Sequence, residues 1–292
     1  MLLLAVVGII GYISSVKGGL DFRFPGYSFN QYAYKQNAEV VEGYGPISKF
    51  IESCDFINHM HQKTASDLRA TPRIEPVCYE SNTLKAHKVL LWGDSFAQML
   101  SYGLIKNLPS SWQLLQVASR GCQASIYATT PSDVNYCQQS NYFALKTIAA
   151  VKPEVVVLSQ NSTLNQENLD LFSAKLHAMG VQKIIFVDKP PRWNAPLPKL
   201  LFRKKVDAHR NKNYTQLDSQ TLSQINNEAA FAMNKGAQYI NTVQFFCAQD
   251  GCLLYTGDTP ETSITTLDNE HLTPSASDFF VRTILVKAIT ND

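Results

Sequence analysis

Short apolar runs alternate with segments of helical spacing along most of the 292-residue chain. The apolar runs have the length of buried strands and cover residues 89–92, 112–118, 153–159, 183–188 and 238–243. Apolar residues recur every three to four positions elsewhere, which predicts helices over 96–108, 142–151, 169–179, 219–234 and 279–289. This alternation predicts a three-layer α/β/α domain, doubly wound around a parallel five-stranded sheet in the manner of flavodoxin.

The first predicted strand ends in Gly93-Asp94-Ser95, directly before the first predicted helix. A sharp glycine turn at the carboxyl end of a strand can present a serine hydroxyl as a nucleophile, and the helix N-terminus beside it stabilises negative charge. The same residues also suit a simple helix cap, in which Asp94 or Ser95 accepts from the first free N–H groups. The stretch by itself leaves both interpretations open.

A suitable base for such a serine lies far along the chain. Asp268 and His271 are three residues apart in the loop before the last predicted helix. At that spacing the Asp268 carboxylate can bind one ring nitrogen of His271 and leave the other free for Ser95, as in a Ser-His-Asp triad. The alternative is that His271 is an ordinary loop histidine near a helix start.

Together these motifs resemble the SGNH (GDSL-type) hydrolase superfamily, which carries G-D-S after its first strand and D-x-x-H before its last helix. The wider pattern is L-L-W-G-D-S-F-A, a middle with paired cysteines, then D-x-x-H-L-T. It is similar to the extracytoplasmic SGNH domain fused to membrane acyltransferase-3 proteins, which O-acetylate cell-surface polysaccharides. The resemblance covers about residues 45–290 and implies the SGNH-hydrolase fold, with Ser95, His271 and Asp268 as catalytic residues.

The resemblance also implies where an oxyanion would bind. Family members use the backbone N–H of the nucleophile, a glycine after the second strand and an asparagine after the third, which correspond to Ser95, Gly121 and Asn161. The family pattern at the third strand is G-x-N-D, from which Ser159 and Ser162 depart. The alternatives are that Gly121 is an ordinary turn glycine and that Asn161 caps the next helix.

Six cysteines form three couples that are close in sequence. An even number in couples is typical of disulfides formed in an oxidising compartment, although six cysteines allow fifteen pairings. We expect the pairs Cys54–Cys78, Cys122–Cys137 and Cys247–Cys252, with six buried free thiols as the alternative. No couple has tight C-x-x-C spacing and the histidines are scattered, so no metal site is expected.

Residues 1–13 are apolar and uncharged, but they are fewer than the ~20 that span a bilayer. No basic residues precede them and no convincing cleavage site follows, so they do not match a secretory signal. We interpret 1–14 as the end of a transmembrane helix, 15–45 as a linker and extension packed on the domain, and 46–292 as the SGNH catalytic domain. Within that domain, the basic, proline-rich stretch 190–214 is predicted to be irregular and to face the substrate.

The expected function follows from the resemblance, because a Ser-His-Asp triad serves esterases and transferases alike. The resemblance implies transfer of acetyl to a hydroxyl of a cell-surface polysaccharide such as lipopolysaccharide O-antigen, by a domain that faces the periplasm from the bacterial inner membrane. Its implied partners are the polysaccharide acceptor and a membrane acyltransferase-3 domain, in the same chain or separate, which relays acetyl from acetyl-CoA. No cofactor is expected in this domain itself.

Two other functions remain open at this point: a carbohydrate acetylesterase of the same fold, and a non-catalytic glycan-binding domain. Nucleic-acid binding is not supported, because the formal net charge is only +2 at pH 7 and no basic stripe is present.

Overall fold

The computed structural model describes residues 45–57 and 73–291, apart from 133, 163–164, 204–205, 208, 214, 227–230, 232 and 234, together with positions 8, 11 and 12. The predicted membrane-helix end at 1–14 and the linker at 15–45 therefore lie almost wholly outside the described residues. Of the helices that are described, none combines the length and the apolar character needed to cross a membrane.

A five-stranded parallel sheet forms the centre of the domain. The described strands are β1 His87–Gly93, β2 Trp112–Ala118, β3 Val155–Ser159, β4 Lys183–Val187, β5 Lys212–Asn213, β6 Ala237–Ile240, β7 Cys247–Ala248 and β8 Gly251–Leu253. The central sheet has the order β2-β1-β3-β4-β6, and all of its neighbouring pairs are parallel. Because β1 lies between β2 and β3, the winding reverses at β1, and the loops after these three strands meet at one edge, where doubly wound sheets bind ligands.

Helices cover both faces of this sheet. The described helices are α1 Gly45–Ser53, α2 Ser95–Asn107, α3 Tyr136–Val151, α4 Gln166–Ala178, α5 Leu197–Phe202, α6 Ser219–Asn226, α7 Thr242–Phe246, α8 Pro260–Ser263, α9 Pro274–Phe280 and α10 Val286–Thr290. A π-helical turn, Val281–Leu285, joins α9 to α10, and a single 3₁₀ turn covers Pro76–Cys78. The predicted three-layer, doubly wound architecture is confirmed.

Alternate residues of β1 face the two opposite cores, as the two-residue period of a strand requires. Val89 and Leu91 pack in one apolar cluster with side chains of α2 and α9. Leu90 and Trp92 pack in the other with side chains of α3 and α4. All four side chains are fully buried. Because helices cover both faces of the sheet, inward positions occur on both sides of the strand, and its sequence is a continuous apolar run.

Local capping residues shift some boundaries from those predicted. The helix predicted over 142–151 begins at Tyr136, because the Asn135 side chain accepts from the N–H of Gln138 and caps it there. The strand predicted over 238–243 ends at Ile240, because Asn241 caps α7 in the same way.

The proline-rich stretch 190–214 is more regular than predicted. It contains α5 and β5, and β5 pairs with β8 in a small antiparallel sheet ordered β5-β8-β7. Trp193, Leu197 and Leu201 are buried in a third apolar cluster with Leu254 and Ile264. The segment is therefore irregular only in part, because apolar residues spaced among its prolines form a core of their own.

Candidate active site

Ser95 begins α2 directly after a turn that requires glycine. Gly93 has a φ of +148°, and a Cβ added there would lie 1.9 Å from the backbone oxygen of Ser159. No real contact is that short, so β1 and β3 can lie this close only because residue 93 has no side chain. The Ser95 hydroxyl is consequently placed at the carboxyl edge of the sheet, at the first position of a helix.

The structure brings Ser95, His271 and Asp268 together in one hydrogen-bonded chain. Oγ of Ser95 lies 2.8 Å from Nε2 of His271, and Nδ1 of His271 lies 2.6 Å from Oδ2 of Asp268. The other carboxylate oxygen, Oδ1, accepts from the backbone N–H groups of Glu270 and His271, each at 2.8 Å. With Nδ1–H donating to Asp268, Nε2 is left as the acceptor for the Ser95 hydroxyl.

Interactions between His271 and Asp268 favour the charged form of each residue. The hydrogen bond to Asp268 raises the pKa of His271 above its ordinary value of 6.5, although burial opposes the shift. Burial by itself would raise the pKa of Asp268, but hydrogen bonds from the His271 ring and from two backbone N–H groups outweigh it and lower that pKa. His271 is therefore a stronger proton acceptor than an isolated histidine.

Asp94 holds the turn beside the nucleophile. Its Oδ1 accepts from the N–H of Phe96 and its Oδ2 from the N–H of Asn161, both at 2.9 Å. The side chain is buried, and this burial raises its pKa despite those hydrogen bonds. Asp94 thus ties the turn that carries Ser95 to the loop after β3.

The three predicted oxyanion donors lie in loops at the same edge of the sheet. The N–H of Ser95 is in the first turn of α2, where N–H groups have no acceptor within the helix. Gly121, with a φ of +72°, follows β2, whose last residue is paired with Gly93. Asn161 follows β3 with an exposed side chain, and its capping alternative is wrong because Asn165 caps α4.

Comparison with known protein families decides which family this chain represents. The model of the SGNH domain that is fused to AT3 domains matches residues 60–285, which is more than half of the chain. The chain belongs to this family. The resemblance inferred from the G-D-S and D-x-x-H motifs is thereby confirmed.

One solved structure is similar to this SGNH domain over nearly its whole length. It is the periplasmic domain of a lipopolysaccharide acetyltransferase from Salmonella ser. Paratyphi A, with a TM-score of 0.61 and 24% sequence identity. The alignment covers 89% of this chain and 97% of that one. This similarity supports the SGNH-hydrolase fold, while no curated protein matches the chain in sequence.

A segment that precedes the family match supports the loop after β2, which carries the predicted oxyanion donor Gly121. Oδ2 of Asp55 accepts from Nε2 of Gln98 at 2.9 Å and from Nε of Arg120 at 3.1 Å. The neighbouring N–H of Phe56 donates to Oγ of Ser119 at 2.9 Å. Residues 55–56 therefore hold the two residues directly before Gly121. Sequence reasoning missed this role, and its only signal was the presence of a cysteine at position 54.

The loop that carries Asp268 and His271 is also supported from outside. The N–H of Trp193 donates to the backbone oxygen of Asn269 at 2.8 Å, and Nδ2 of Asn269 donates back to the oxygen of Trp193 at 2.9 Å. The N–H of Leu197 donates to the backbone oxygen of Asp268 at 3.2 Å. The segment predicted to face substrate thus braces the triad loop of the SGNH domain.

The six cysteines form three disulfides in the structure, with the expected pairing. Cys54–Cys78 anchors the segment that carries Asp55, Cys122–Cys137 joins the residue after Gly121 to the first turn of α3, and Cys247–Cys252 links β7 to β8. Two of the three disulfides therefore fix the surroundings of the loop after β2, which carries Gly121. Across the described residues, no three His, Cys, Asp or Glu side chains are placed to hold a metal ion.

Proposed function

We propose that this SGNH domain transfers an acyl group, most simply acetyl, to a hydroxyl of a cell-surface polysaccharide such as lipopolysaccharide O-antigen. The observation that carries the proposal is the hydrogen-bonded chain from Ser95 through His271 to Asp268. The fold shared with the periplasmic domain of a lipopolysaccharide acetyltransferase, and a family model drawn from domains fused to AT3 domains, support this class of reaction.

In the first half of the reaction, Oγ of Ser95 attacks the acyl carbonyl of the donor while Nε2 of His271 takes the hydroxyl proton. The resulting imidazolium is stabilised by Asp268, whose carboxylate accepts from Nδ1. When the tetrahedral intermediate collapses, His271 returns the proton to the leaving oxygen and an acyl-Ser95 ester remains.

In the second half, an acceptor hydroxyl gives its proton to Nε2 of His271 and attacks the acyl-Ser95 carbonyl. Collapse of the second intermediate forms the new ester on the acceptor and returns the proton to Ser95. Water can take the place of that hydroxyl, and the domain would then act as a carbohydrate acetylesterase. The acceptor that reaches the acyl-enzyme decides between these two outcomes.

The negative charge of both intermediates requires donors at the carboxyl edge of the sheet. We assign this role to the N–H groups of Ser95 and Gly121 and to the side-chain amide of Asn161. Each lies in or directly after a loop that the disulfide at Cys122 or the carboxylate of Asp94 holds in place. Loss of one such donor typically lowers kcat by about 10²–10³.

We infer the donor and the location from the fusion to AT3 domains that is typical of the family. A membrane acyltransferase-3 domain, in the same chain or separate, would relay acetyl from acetyl-CoA to this domain on the periplasmic side of the inner membrane. No residue of the SGNH domain is needed to bind a cofactor in this scheme, because the acyl group arrives already activated.

Ser95→Ala tests the proposal. In cells that express the full chain, the substitution should abolish acetylation of surface polysaccharide, and with the purified chain it should abolish release of acetate from an activated acetyl ester. Ser81→Ala, an exposed serine before β1 and remote from this edge, is the matched control. Acetylation that continues unchanged in the Ser95→Ala strain would overturn the proposal, whereas Ser95-dependent acetate release without transfer would identify an esterase.

A further inference from the structure

A cavity of about 210 Å³ opens between the loop after β2 and the start of α4. Gln123 lines it two residues after Gly121, and Ser162 lines it directly after Asn161. The cavity is therefore lined by the same two loops that carry the proposed oxyanion donors Gly121 and Asn161. It lies on the face of the sheet covered by α3 and α4, whereas His271 precedes α9 on the other face.

Two large hydrophobic side chains at this cavity are exposed to solvent and are not part of the buried core. Tyr127 is 73% exposed and Leu171 is 40% exposed, and both line it. They are two of the seven large hydrophobic side chains that the described residues leave exposed. Phe172, which belongs to the core, also lines the cavity, so its lining includes both aromatic and aliphatic side chains. Exposed apolar surface in a concave setting is typical of a ligand site.

The polar part of the lining is uncharged. Amide and hydroxyl groups come from Gln123, Ser162 and Asn168, and among the residues that the structure describes no Asp, Glu, Lys, Arg or His lines the cavity. A charged ligand would find no counter-ion there. A ligand with an apolar face and several neutral hydroxyl groups would be matched on both sides.

Buried hydrogen bonds hold the opening in shape. Nδ2 of Asn141 donates to the oxygen of Gln123 at 2.9 Å, and its Oδ1 accepts from the N–H of Ser125 at 3.1 Å. Oε1 of Gln160, which also lines the cavity, accepts from the N–H of Ala124 at 2.7 Å. Because Asn141 and Gln160 are both buried, the wall formed by residues 123–125 is fixed before any ligand arrives.

We propose that this cavity is an acceptor subsite that binds a neutral hexose ring of the polysaccharide. The C–H face of the ring would pack on Tyr127 and Leu171, while its hydroxyls would bond to the amides of Gln123 and Asn168. The inference rests on the proposed function, since its purpose is to present a hydroxyl of the same or the adjoining sugar to acyl-Ser95.

A larger concavity of about 840 Å³ is a poor candidate for the acceptor. It lies at the amino edge of the sheet and is lined by the first residues of β1, β2 and β4. His87 and Glu154 in it are paired at 2.8 Å, and the Lys183 amine donates to the backbone oxygen of Ala288. A sugar bound there would lie at the opposite edge from Ser95.

Direct binding to the full chain tests the subsite apart from catalysis. A Ser95→Ala background would be titrated by calorimetry with a neutral hexose trisaccharide and with a uronic acid trisaccharide of equal length. Adding Tyr127→Ala should weaken binding of the neutral sugar at least about tenfold, as expected for the loss of one aromatic anchor. Tyr127→Phe should retain the affinity because the ring remains, and Leu84→Ala, which removes an exposed leucine elsewhere, should leave it unchanged.

The outcomes separate the subsite from the proposed function. Equal affinity in the Tyr127→Ala variant, or tighter binding of the uronic acid trisaccharide, would overturn the subsite while Ser95-dependent turnover would still uphold the proposed function. If sugar binding depends on Tyr127 but the protein with Ser95 intact gives no turnover, the subsite is supported and the proposed function is overturned. In the active chain, Tyr127→Ala should lower kcat/KM for glycan acetylation and leave hydrolysis of a minimal acetyl ester unchanged.

Discussion

Asp268→Asn should remove most of the catalysis without disturbing the fold, because the structure dictates how the new amide would be oriented. Oδ1 of Asp268 accepts from two backbone N–H groups, so the carbonyl oxygen of asparagine must take that position. Its NH₂ group would then lie where Oδ2 now lies 2.6 Å from Nδ1 of His271. Since NH₂ donates, Nδ1 would become the acceptor and the ring proton would move to Nε2. A histidine protonated at Nε2 cannot take the proton of Ser95.

The magnitude follows from the same contacts. To restore the productive tautomer, the amide would have to flip and lose both backbone hydrogen bonds, at about 1 kcal/mol each. A cost of about 2 kcal/mol corresponds to a factor of about 30 in rate. Loss of the carboxylate charge, which stabilises the imidazolium, lowers the rate further. In serine proteases the equivalent change lowers kcat by about 10⁴, or about 5 kcal/mol in activation free energy. We expect a similar loss here.

The assay is hydrolysis of a chromogenic acetyl ester as a function of pH. Beyond the loss of rate, the residual activity should have its acid limb at lower pH, because the hydrogen bond that raises the pKa of His271 is gone. Asp218→Asn is the control, since Asp218 also accepts a backbone N–H, from Thr221 at 2.7 Å, outside the triad. A variant within tenfold of the parent rate, with an unmoved pH profile, would refute the assignment of His271 as the base held by Asp268.

Three further predictions concern pH, backbone and disulfide. Because His271 must be neutral to accept a proton and its pKa is raised, kcat/KM of the parent protein should fall as the pH drops through a value above 6.5. Gly93→Ala should lower the free energy of unfolding by more than about 3 kcal/mol in urea titrations, because its Cβ would meet the backbone oxygen of Ser159. Replacing both Cys122 and Cys137 by serine should lower that free energy by about 3 kcal/mol, since the disulfide closes a loop of sequence separation 15. A pH profile centred below 6.5, or stability equal to that of the parent, would contradict the respective prediction.

The sheet and the motifs could be predicted from the sequence because each depends on local pattern. The run from Trp112 to Ala118 was predicted as a strand over the bounds that β2 has in the structure, and its apolar positions suffice to identify it. Asp268 and His271 could be paired because they lie in one loop three residues apart. Their contact with Ser95 required only that both loops reach the same edge of the sheet.

The supporting contacts could not be predicted, because they join residues whose proximity depends on the assembled fold. Nothing in the sequence around Asp55 links it to Arg120. The two residues are 65 positions apart, and their ion pair forms only once the segment before β1 packs against the end of β2. The segment around Trp193 appeared irregular because prolines interrupt its pattern, yet its buried ring lies behind the loop of Asn269. Asn135 and Asn241 set element ends by capping, which a hydrophobic pattern does not report.

The contacts of Asp55 bear on how this module can be exchanged between proteins. The match to the family model begins at residue 60, whereas Cys54 and Asp55 lie upstream of it. A recombination joint at residue 60 would leave Cys78 without its disulfide partner Cys54. It would also leave Arg120 without the carboxylate of Asp55. The smallest piece that can be transplanted with the contacts of the loop after β2 intact therefore begins before residue 54.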